Sequence, residues 1–360
     1  MDNRIKAFVV DDSGFVIASV KKKLASDPEI DVVGSAQNGR EAIEKIRTLK
    51  PDVITLDVVM PEMDGLAVLE QIMAWQPTPV VMLSALTSEG AETTIKALEL
   101  GAVDFFLKPS ILRPTGTEET GDTLIEKVKR AARSKLRPFD FTPKTDVSAS
   151  ANIMEKSQHG TANCKFPVIC IGSSTGGPRA LMEIIPALPK DFPAAILMVQ
   201  HMPPIFTKSL AERLGHASHI NVIEASDGST IEPGKALLAP GSFHMVVQSG
   251  GTRVSLNQEP TVHGVRPAID VTMNSAVKVY GDNLLGVILT GMGSDGTVGA
   301  AHIKEAGGKI IAEDESTCAV FGMPQVVIKA GYADKVLPVD KIAQELIQIY
   351  CGNRQPALRS

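Results

Sequence analysis

The chain has 360 residues, of which 44% are hydrophobic and only 4% aromatic, and its formal net charge is −5. This length predicts about two domains with aliphatic cores. The net negative charge gives no support to a nucleic-acid-binding protein, which usually carries a strongly basic domain or face. Four scattered cysteines without a CxxC pair favour a reducing compartment. No apolar run approaches the roughly 20 residues that span a bilayer, so we expect a cytoplasmic protein without direct membrane insertion.

Short apolar runs alternate with helical patterns over the first part of the chain. The runs lie at residues 6–10, 32–36, 52–57, 79–84 and 103–107. Apolar runs of this length, separated by helices, predict a parallel sheet that is covered on both faces. An amphipathic helical pattern at about 120–136 closes this part. Its basic run, 127–137, could be a docking surface, but a solvated helix face is the favoured interpretation.

The second part of the chain repeats this alternation after a polar stretch. The stretch from about 138 to 165 is rich in Ser, Thr, Pro, Asn and Lys and predicts a linker. Strand-like runs and helical patterns then alternate to about residue 350, with strands at 167–172, 194–200, 236–240, 244–248 and 284–291 and helices at 178–188 and 296–307. We therefore predict two tandem doubly wound parallel-sheet α/β domains. The predicted organisation is a first domain at 1–125, a helix end and linker at 126–165, and a second domain at 166–352.

Acidic residues follow two of the predicted strands of the first domain. Asp11 and Asp12 follow the first strand, and Asp57 ends the third. In an open parallel sheet, ligands bind at the carboxyl ends of strands near a switch in strand order. Carboxylates that converge there would repel one another unless a cation joined them, and Mg²⁺ takes oxygen ligands that it shares with waters and phosphate oxygens. The pattern predicts a magnesium site at this edge of the sheet.

Two further strand ends supply groups that suit a phosphate. Ser84 ends the fourth predicted strand, and its hydroxyl can bond a phosphate oxygen. Lys108 follows the fifth, and its ammonium can pair with the phosphoryl charge. Taken singly, an acidic residue at a strand end is often only a helix N-cap, and a lysine before a proline is usually a solvated turn. The combination at successive strand ends is far more specific.

Residues 1 to about 125 resemble a response-regulator receiver domain, and the PEMDG run after the third strand strengthens the match. The resemblance implies a flavodoxin-like fold in which a histidine kinase supplies the phosphoryl group for Asp57. It further implies that Mg²⁺ is held by Asp12, Asp57 and the Val59 carbonyl, with Asp11 acting through water.

The same resemblance assigns three residues to the response to phosphorylation. Ser84 would be the switch hydroxyl, Lys108 the phosphate sensor and Phe105 the switch aromatic. The departures from the family pattern are mild, because Thr is commoner at the first position and Tyr is also frequent at the third. The resemblance therefore predicts a complete phosphorylation switch.

A serine flanked by glycines follows the first predicted strand of the second domain. Residues 172–176 form a G-x-S-x-G between a strand-like run and a helical pattern, which is the context of a nucleophile elbow. The glycines allow a sharp turn that exposes the Ser174 hydroxyl, and the helix N-terminus aims backbone N–H groups at the same place. A dinucleotide-binding turn is the alternative. It requires an acidic residue at the end of the next strand, where this chain has Gln200 and His201.

A serine nucleophile needs a neighbouring base and an acid that orients this base. Among the seven histidines, only His201 directly follows the strand expected beside the Ser174 strand. The others fit surface or structural positions. Asp295, in a glycine-rich loop after the 284–291 run, is the predicted orienting acid. The chain order Ser, His, Asp differs from that of the standard α/β-hydrolases, but triads are recognised by geometry rather than by order.

Motifs spread from about residue 166 to 350 resemble, in order, the catalytic domain of the CheB-type chemotaxis methylesterases: GSSTGGP, QHMPP, APGSFHM, RPAIDV, LTGMGSDG and FGMPQ. The resemblance implies Ser174 as nucleophile, His201 as general base and Asp295 as its orienter. It implies hydrolysis of glutamate γ-methyl esters on chemoreceptors with release of methanol, and deamidation of selected receptor glutamines, under control of receiver phosphorylation. The loop positions suggest the backbone N–H groups of Thr175 and Met292 as oxyanion donors. No cofactor is expected for the hydrolysis.

Two other classes of function compete with this interpretation. A DNA-binding transcriptional regulator would need a compact, basic helix-turn-helix module after the linker, but the second part alternates strand and helix and has no basic recognition helix. A catalytically inactive adaptor would only bind receptors. The presence of Ser174, His201 and Asp295 argues against the adaptor, and an ester-hydrolysis assay decides between the adaptor and the methylesterase.

Overall fold

A computed structural model describes residues 4–111, 123–136 and 166–352. The chain divides into two compact units, Met1–Asp140 and Phe141–Ser360. The predicted linker at 138–165 lies outside the described residues. Within the described ranges, no helix is long and apolar enough to cross a membrane.

The first unit contains a five-stranded parallel sheet. Its strands are β1 Ile5–Val10, β2 Ile30–Ala36, β3 Val53–Asp57, β4 Val80–Ser84 and β5 Asp104–Leu107. They are arranged in the order β2-β1-β3-β4-β5. Its helices are α1 Gly14–Leu24, α2 Gly39–Leu49, α3 Gly65–Trp75, α4 Ser88–Glu99, α5 Lys108–Ile111 and α6 Leu124–Ala132. Every residue of β3 and β4 is buried, as expected for strands covered on both faces.

Most helices of this unit begin at a residue whose side chain caps the first turn. The caps are Ser13 for α1, Asn38 for α2, Asp64 for α3, Thr87 for α4 and Thr123 for α6. Each accepts a hydrogen bond from a backbone N–H that has no partner inside the helix, which stabilises the helix by about 1 kcal/mol. The caps therefore fix where the loops at the carboxyl ends of the strands stop.

The basic face of α6 pairs with acidic residues of the same unit. Lys127 Nζ lies 2.8 Å from Asp104 Oδ1, and its side chain is only 13% exposed. Lys129 Nζ and Arg133 Nη2 lie 2.6 Å and 2.8 Å from the two carboxylate oxygens of Glu29. The predicted solvated face fits Arg133, whose side chain is 66% exposed, but is wrong for Lys127. The helix also ends at Ala132, before the predicted end at 136.

The second unit contains a seven-stranded parallel sheet. Its strands are β6 Val168–Ser173, β7 Ala195–Gln200, β8 Asn221–Glu224, β9 Lys235–Leu238, β12 Leu284–Ile288, β13 Lys309–Glu313 and β14 Lys335–Leu337. They lie in the order β14-β13-β12-β6-β7-β9-β8. Two further strands, β10 His244–Val247 and β11 Val254–Asn257, form a separate antiparallel pair. The predicted strand at 244–248 thus exists but stands outside the main sheet.

Helices separate most strands of the large sheet. They are α7 Gly177–Ile184, α8 Phe206–Ala217, α9 Ile269–Tyr280, α10 Thr297–Glu305, α11 Met323–Lys329 and α12 Val339–Cys351, with short 3₁₀ turns at Ile185–Ala187 and Gly281–Asn283. The central strands β6 and β7 are buried along their whole length. The predicted class of two parallel-sheet α/β domains is confirmed.

The strand orders bring particular loops together. In the second unit the chain moves from β6 to β7 on one side and later returns to β12 on the other side of β6. In the first unit β1 likewise lies between β2 and β3. Loops at the carboxyl ends diverge at such a switch point and leave a crevice between them. Each unit therefore has one place where a site is expected.

Candidate functional site

The switch point of the second unit brings together the three residues of the predicted triad. Ser174 follows β6, His201 follows β7, and Asp295 lies in the loop between β12 and α10. Ser173 and Gln200 are register partners on neighbouring strands, and the His201 N–H donates to the Ser173 carbonyl at 3.1 Å. The nucleophile and base predicted from sequence therefore follow adjacent strand ends.

His201 pairs directly with Asp295. The His201 Nε2 atom lies 2.8 Å from Asp295 Oδ2, and the two side chains are 10% and 2% exposed. Because Nε2 is engaged with the carboxylate, Nδ1 is the ring nitrogen that remains available to accept a proton. The pair has the base–orienter geometry of a catalytic triad.

Backbone groups at the starts of α9 and α10 hold the Asp295 carboxylate. The Ile269 N–H donates to Oδ2 at 2.7 Å, and the N–H groups of Asp270 and Gly296 both donate to Oδ1 at 2.9 Å. Burial acts to raise the pKa of Asp295, but the hydrogen bonds from His201 and the backbone outweigh it and keep the pKa below its usual range. Asp295 is therefore ionised near neutral pH and can hold the imidazole in one orientation.

The turn that carries Ser174 is packed too tightly for side chains at two glycines. A Cβ at Gly177 would lie 2.0 Å from Gln200 Oε1, and a Cβ at Gly291 would lie 2.6 Å from Ser174 Cβ. The Ser174 N–H donates to the Thr290 carbonyl at 3.0 Å. The serine is therefore held between the strand ends of β7 and β12, as a nucleophile elbow requires.

Gln200 makes contacts that the sequence did not predict. In the sequence it was notable only because a dinucleotide-binding turn would have an acidic residue at this position. Its Nε2 donates to the Ser174 carbonyl at 2.9 Å and to the His201 carbonyl at 3.2 Å. Its Oε1 accepts from Ser173 Oγ at 2.7 Å. One buried amide thus links the backbone of Ser174 to that of His201. A polar residue at the end of a buried strand is the signal that could have identified it.

A second buried polar group, Glu313, was also missed. It lies at the end of β13 with no exposed surface, and its Oε2 accepts from the Thr290 N–H at 2.7 Å. Thr290 Oγ1 in turn donates to the Thr175 carbonyl at 2.9 Å. The carboxylate therefore supports the loop that contacts the serine turn.

The two predicted oxyanion donors belong to loops on either side of Ser174. Thr175 is buried and follows the serine directly. Met292 is 52% exposed and follows Gly291, the glycine that approaches Ser174 Cβ. Their loops meet at the serine, and their role as donors stays a prediction.

At the switch point of the first unit, Lys108 bridges two aspartates. Its Nζ lies 2.8 Å from Asp11 Oδ2 and 2.7 Å from Asp57 Oδ2. Burial raises the pKa of Asp57 to about 6, although the Lys108 ammonium acts against it; the neighbouring charge of Asp11 adds to the rise. Burial and the neighbouring charge of Asp11 therefore make a negative charge on Asp57 unfavourable in this pocket.

Three carboxylates of this pocket could hold a cation. Ligand atoms of Asp11, Asp12 and Asp57 lie within 4.8 Å of one another. Carboxylate oxygens are the donors that Mg²⁺ prefers, and the raised pKa of Asp57 shows a charge that a cation would stabilise. The residues present thus fit Mg²⁺. Val59 follows closely, with its N–H donating to Asp57 Oδ1 at 3.3 Å; its carbonyl as a ligand stays a prediction.

The two predicted switch residues both face the interior of the first unit. Ser84 Oγ is fully buried and lies 2.8 Å from Thr94 Oγ1 and 3.3 Å from the Gly90 carbonyl, both in α4. Phe105 is 6% exposed, with Lys127 Nζ 5.6 Å from the centre of its ring. The Ser84 hydroxyl is thus bonded to α4, and its contact with a phosphoryl group stays a prediction.

We expect Asp57 to make the stability of the first unit fall as pH rises when Mg²⁺ is absent. Its pKa is raised from 3.8 to about 6 in the folded state, so its contribution to stability is present below about pH 4 and is lost as pH rises through about 6. Thermal melts of wild type and Asp57→Asn over this range measure the difference. Wild type should lose stability relative to the variant, and Mg²⁺ should restore wild type alone. Identical pH slopes would contradict the assignment.

Fold and sites together define a class of protein: a response regulator whose output domain is a serine hydrolase. Comparison with known families gives the same division. Residues 7–113 match the model of the response regulator receiver domain, and residues 169–346 match the model of the CheB methylesterase.

Curated relatives match nearly the full length of the chain. A protein-glutamate methylesterase/protein-glutamine glutaminase of Symbiobacterium thermophilum is 49% identical over 95% of this chain and 96% of its own. The protein of the same name from Thermotoga maritima is 46% identical over 97% of this chain and 99% of its own. The crystal structure of the CheB methylesterase catalytic domain of Thermotoga maritima matches with a TM-score of 0.51 and 52% identity, covering 52% of this chain and all of that one. The chain belongs to the CheB family of protein-glutamate methylesterases/protein-glutamine glutaminases.

Proposed function

We propose that this chain removes methyl groups from glutamate γ-methyl esters of chemoreceptors, deamidates selected receptor glutamines, and does both under control of phosphorylation at Asp57. The observation that carries the enzymatic part is the buried His201–Asp295 pair, 2.8 Å apart, at the strand end next to Ser174. The names of the curated relatives supply the substrate class.

Acylation of Ser174 is the first half of the proposed reaction. His201 Nδ1 accepts the Ser174 proton as the oxygen attacks the γ-carbonyl carbon of the ester. Asp295 stabilises the imidazolium that forms. The backbone N–H groups of Thr175 and Met292 are proposed to donate to the oxyanion of the tetrahedral intermediate, which is often the largest single contribution to catalysis. We assign no cofactor to this chemistry.

The tetrahedral intermediate then breaks down and the acyl-enzyme is hydrolysed. The imidazolium of His201 returns the proton to the departing methoxide, and methanol leaves. Water enters, His201 takes its proton, and the hydroxide attacks the acyl carbon. The imidazolium then returns this proton to the departing Ser174 oxygen, which regenerates the serine and releases the glutamate carboxyl group. With a glutamine substrate the same steps release ammonia instead of methanol. One triad therefore supports both activities in the name of the relatives.

The first unit is proposed to control this reaction. A histidine kinase of the same signalling system would supply the phosphoryl group to Asp57, and bound Mg²⁺ would neutralise charge on the phosphoryl oxygens. Lys108, which already contacts Asp57 Oδ2 at 2.7 Å, would pair with the phosphoryl group. Ser84 would then leave its contacts with α4 to bond a phosphoryl oxygen, which changes the surface that α4 presents.

A cytoplasmic location is part of this proposal. The buried cysteines Cys170 and Cys318 carry thiols rather than a disulfide, as is usual in a reducing compartment. The cytoplasm is also where receptor helices and a soluble phosphodonor would meet this chain.

Methanol release from methylated receptor is the direct test of the proposed function. Purified full-length protein is expected to release methanol from receptor carrying labelled methyl esters, and a small phosphodonor with Mg²⁺ should increase the rate. The receptor should lose glutamate methyl esters in the same amount, measured by mass spectrometry of its peptides.

The outcomes separate the proposed enzyme from the adaptor. An adaptor would bind methylated receptor without releasing methanol at any phosphorylation level. Methanol release that does not respond to a phosphodonor would retain the esterase but contradict the proposed control by Asp57.

A further inference from the structure

A second histidine–carboxylate pair lies next to the His201–Asp295 pair. His263 Nε2 lies 3.1 Å from Asp270 Oδ2. Asp270 is 3% exposed, whereas the side chain of His263 is 40% exposed. His263 stands in a tight turn closed by two hydrogen bonds between Val262 and Val265. One member of the pair is therefore buried beside the catalytic carboxylate while the other meets solvent.

Asp270 connects the elements that hold Asp295. Its N–H donates to Asp295 Oδ1 at 2.9 Å. Its own Oδ1 accepts from the N–H of Gly299, in the first turn of α10, at 2.7 Å. Asp270 thus joins the start of α9 to the start of α10, and Asp295 lies in the loop that immediately precedes α10. A residue in this position fixes where the catalytic carboxylate stands.

The two carboxylates also influence each other electrostatically. One carboxylate oxygen each from Asp270 and Asp295 and one ring nitrogen of His263 all lie within 4.8 Å of one another. Burial raises the pKa of Asp270 above its usual range, and the charge of Asp295 adds to the rise, while the Gly299 N–H and His263 act against it. The charge on Asp270 therefore depends on its contact with His263.

We propose that His263 and Asp270 are positioning residues for the hydrolase reaction, and that together they set the pH below which His201 stops accepting the serine proton. This inference rests on the proposed function of the triad. A negative charge on Asp270 favours the protonated form of His201 through Asp295. The imidazole of His263, 3.1 Å from Asp270 Oδ2, offsets that charge. The solvent-facing histidine thus adjusts the catalytic base without touching substrate.

The groups that face this pair from the surrounding elements are few among the described residues. His263 and Asp295 face Asp270 from two loops, and His201 faces Asp295 from the end of β7. His244 of β10 faces the residue before α9: its Nδ1 accepts from the Ala268 N–H at 3.2 Å, and its Nε2 lies 3.1 Å from the Pro260 carbonyl. Both ring nitrogens of His244 are therefore engaged by backbone groups rather than by either aspartate.

The carboxylate oxygens of the pair already have hydrogen-bond partners, which favours an electrostatic role over a metal site. Each oxygen of Asp270 and of Asp295 lies within hydrogen-bonding distance of a nitrogen donor. A cation would have to displace these donors, at the cost of leaving buried N–H groups without partners.

Asp270→Asn and His263→Gln, made in the full-length protein, test the proposal through the pH profile of methanol release. Asp270→Asn removes a charge but keeps an oxygen for the Gly299 N–H. It is expected to move the acid limb of kcat/KM to lower pH by about 0.5–1 unit. His263→Gln should move the limb in the opposite direction, because Asp270 loses the imidazole that offsets its charge.

His302→Gln is the matched control. His302 Nδ1 lies 2.7 Å from Asn274 Oδ1, so this residue also joins α10 to α9. Its side chain is exposed, and its hydrogen bond goes to Asn274 rather than to either aspartate. It is expected to leave the limb in place. NMR titration of the histidine rings in the resting protein provides a readout that does not need turnover, and the His201 signals should follow the same shifts.

The outcomes are distinguishable. If wild type releases no methanol, the proposed function fails, and the NMR titration still tests the coupling. If wild type is active but Asp270→Asn and His263→Gln leave both the acid limb and the His201 titration unchanged, the inference is wrong. Shifts of both variants in the same direction would also overturn it, because a purely structural disturbance does not distinguish the sign of the removed charge.

Discussion

Replacing Ser174 with alanine is expected to abolish nearly all methanol release, lowering kcat by about 10⁵-fold. The hydroxyl forms the bond to the acyl carbon, and no neighbouring residue can take its place without moving the turn that Gly177 and Gly291 pack. His201→Ala should lose a similar amount, and the double variant should be little worse than either single one, because nucleophile and base act as a unit. The measurement is single-turnover release from methylated receptor.

Ser173→Ala is the control for this experiment, since it removes a hydroxyl one position away. Ser173 Oγ donates to Gln200 Oε1 at 2.7 Å and holds the turn rather than attacking substrate, so its loss should cost about tenfold at most. If Ser174→Ala retained half of its turnover, the serine mechanism would be wrong. A metal-dependent route would then have to be sought, and chelation would reveal it.

Asp57→Asn is expected to abolish labelling by a small phosphodonor, because the amide cannot form an acyl phosphate. Wild type should be labelled only when Mg²⁺ is present, since the carboxylates of Asp11 and Asp12 repel the incoming phosphoryl group unless a cation neutralises the charge. Stimulation of methanol release should disappear with the label. The measurement is incorporation of labelled phosphate into intact protein.

Asp52→Asn is the matched control, at the residue that directly precedes β3. Its carboxylate accepts from the Lys6 N–H at 2.8 Å on the surface of the unit, far along β3 from the cluster of carboxylates. The variant should be labelled like wild type. Stoichiometric labelling of Asp57→Asn would place the acceptor elsewhere and undo the assignment of the pocket.

The prediction of the site residues depended mainly on the residue types at the ends of strands. Buried parallel strands must be apolar along their length, so a charged or hydroxylated residue directly after such a run stands out in the sequence. This is why Asp57, Ser174 and His201 could be predicted to lie at carboxyl ends of strands. Parallel pairing then brings such ends to one edge of the sheet, which is what the structure has.

Interactions between distant loops could not be predicted in this way. Gln200 and Glu313 act through hydrogen bonds to backbone groups of other segments, and no local pattern specifies such partners. The pairing of His263 with Asp270 depends on a turn that folds back over α9. Short or partly polar strands, such as β8 and β14, were missed because only a few of their residues are apolar. The strand order of the large sheet also needed the structure.

The order of strands in the large sheet has a consequence for synthesis of the protein. His201 and Asp295 are 94 positions apart, and β12 pairs with β6 only after the chain between them has been made. Contacts this far apart form slowly because a long loop must close first. A nascent chain that has not reached β12 therefore has a nucleophile and a base but no orienting carboxylate. It also leaves one edge of β6 open to pairing with another chain, so an incomplete product is more liable to aggregate than to hydrolyse esters.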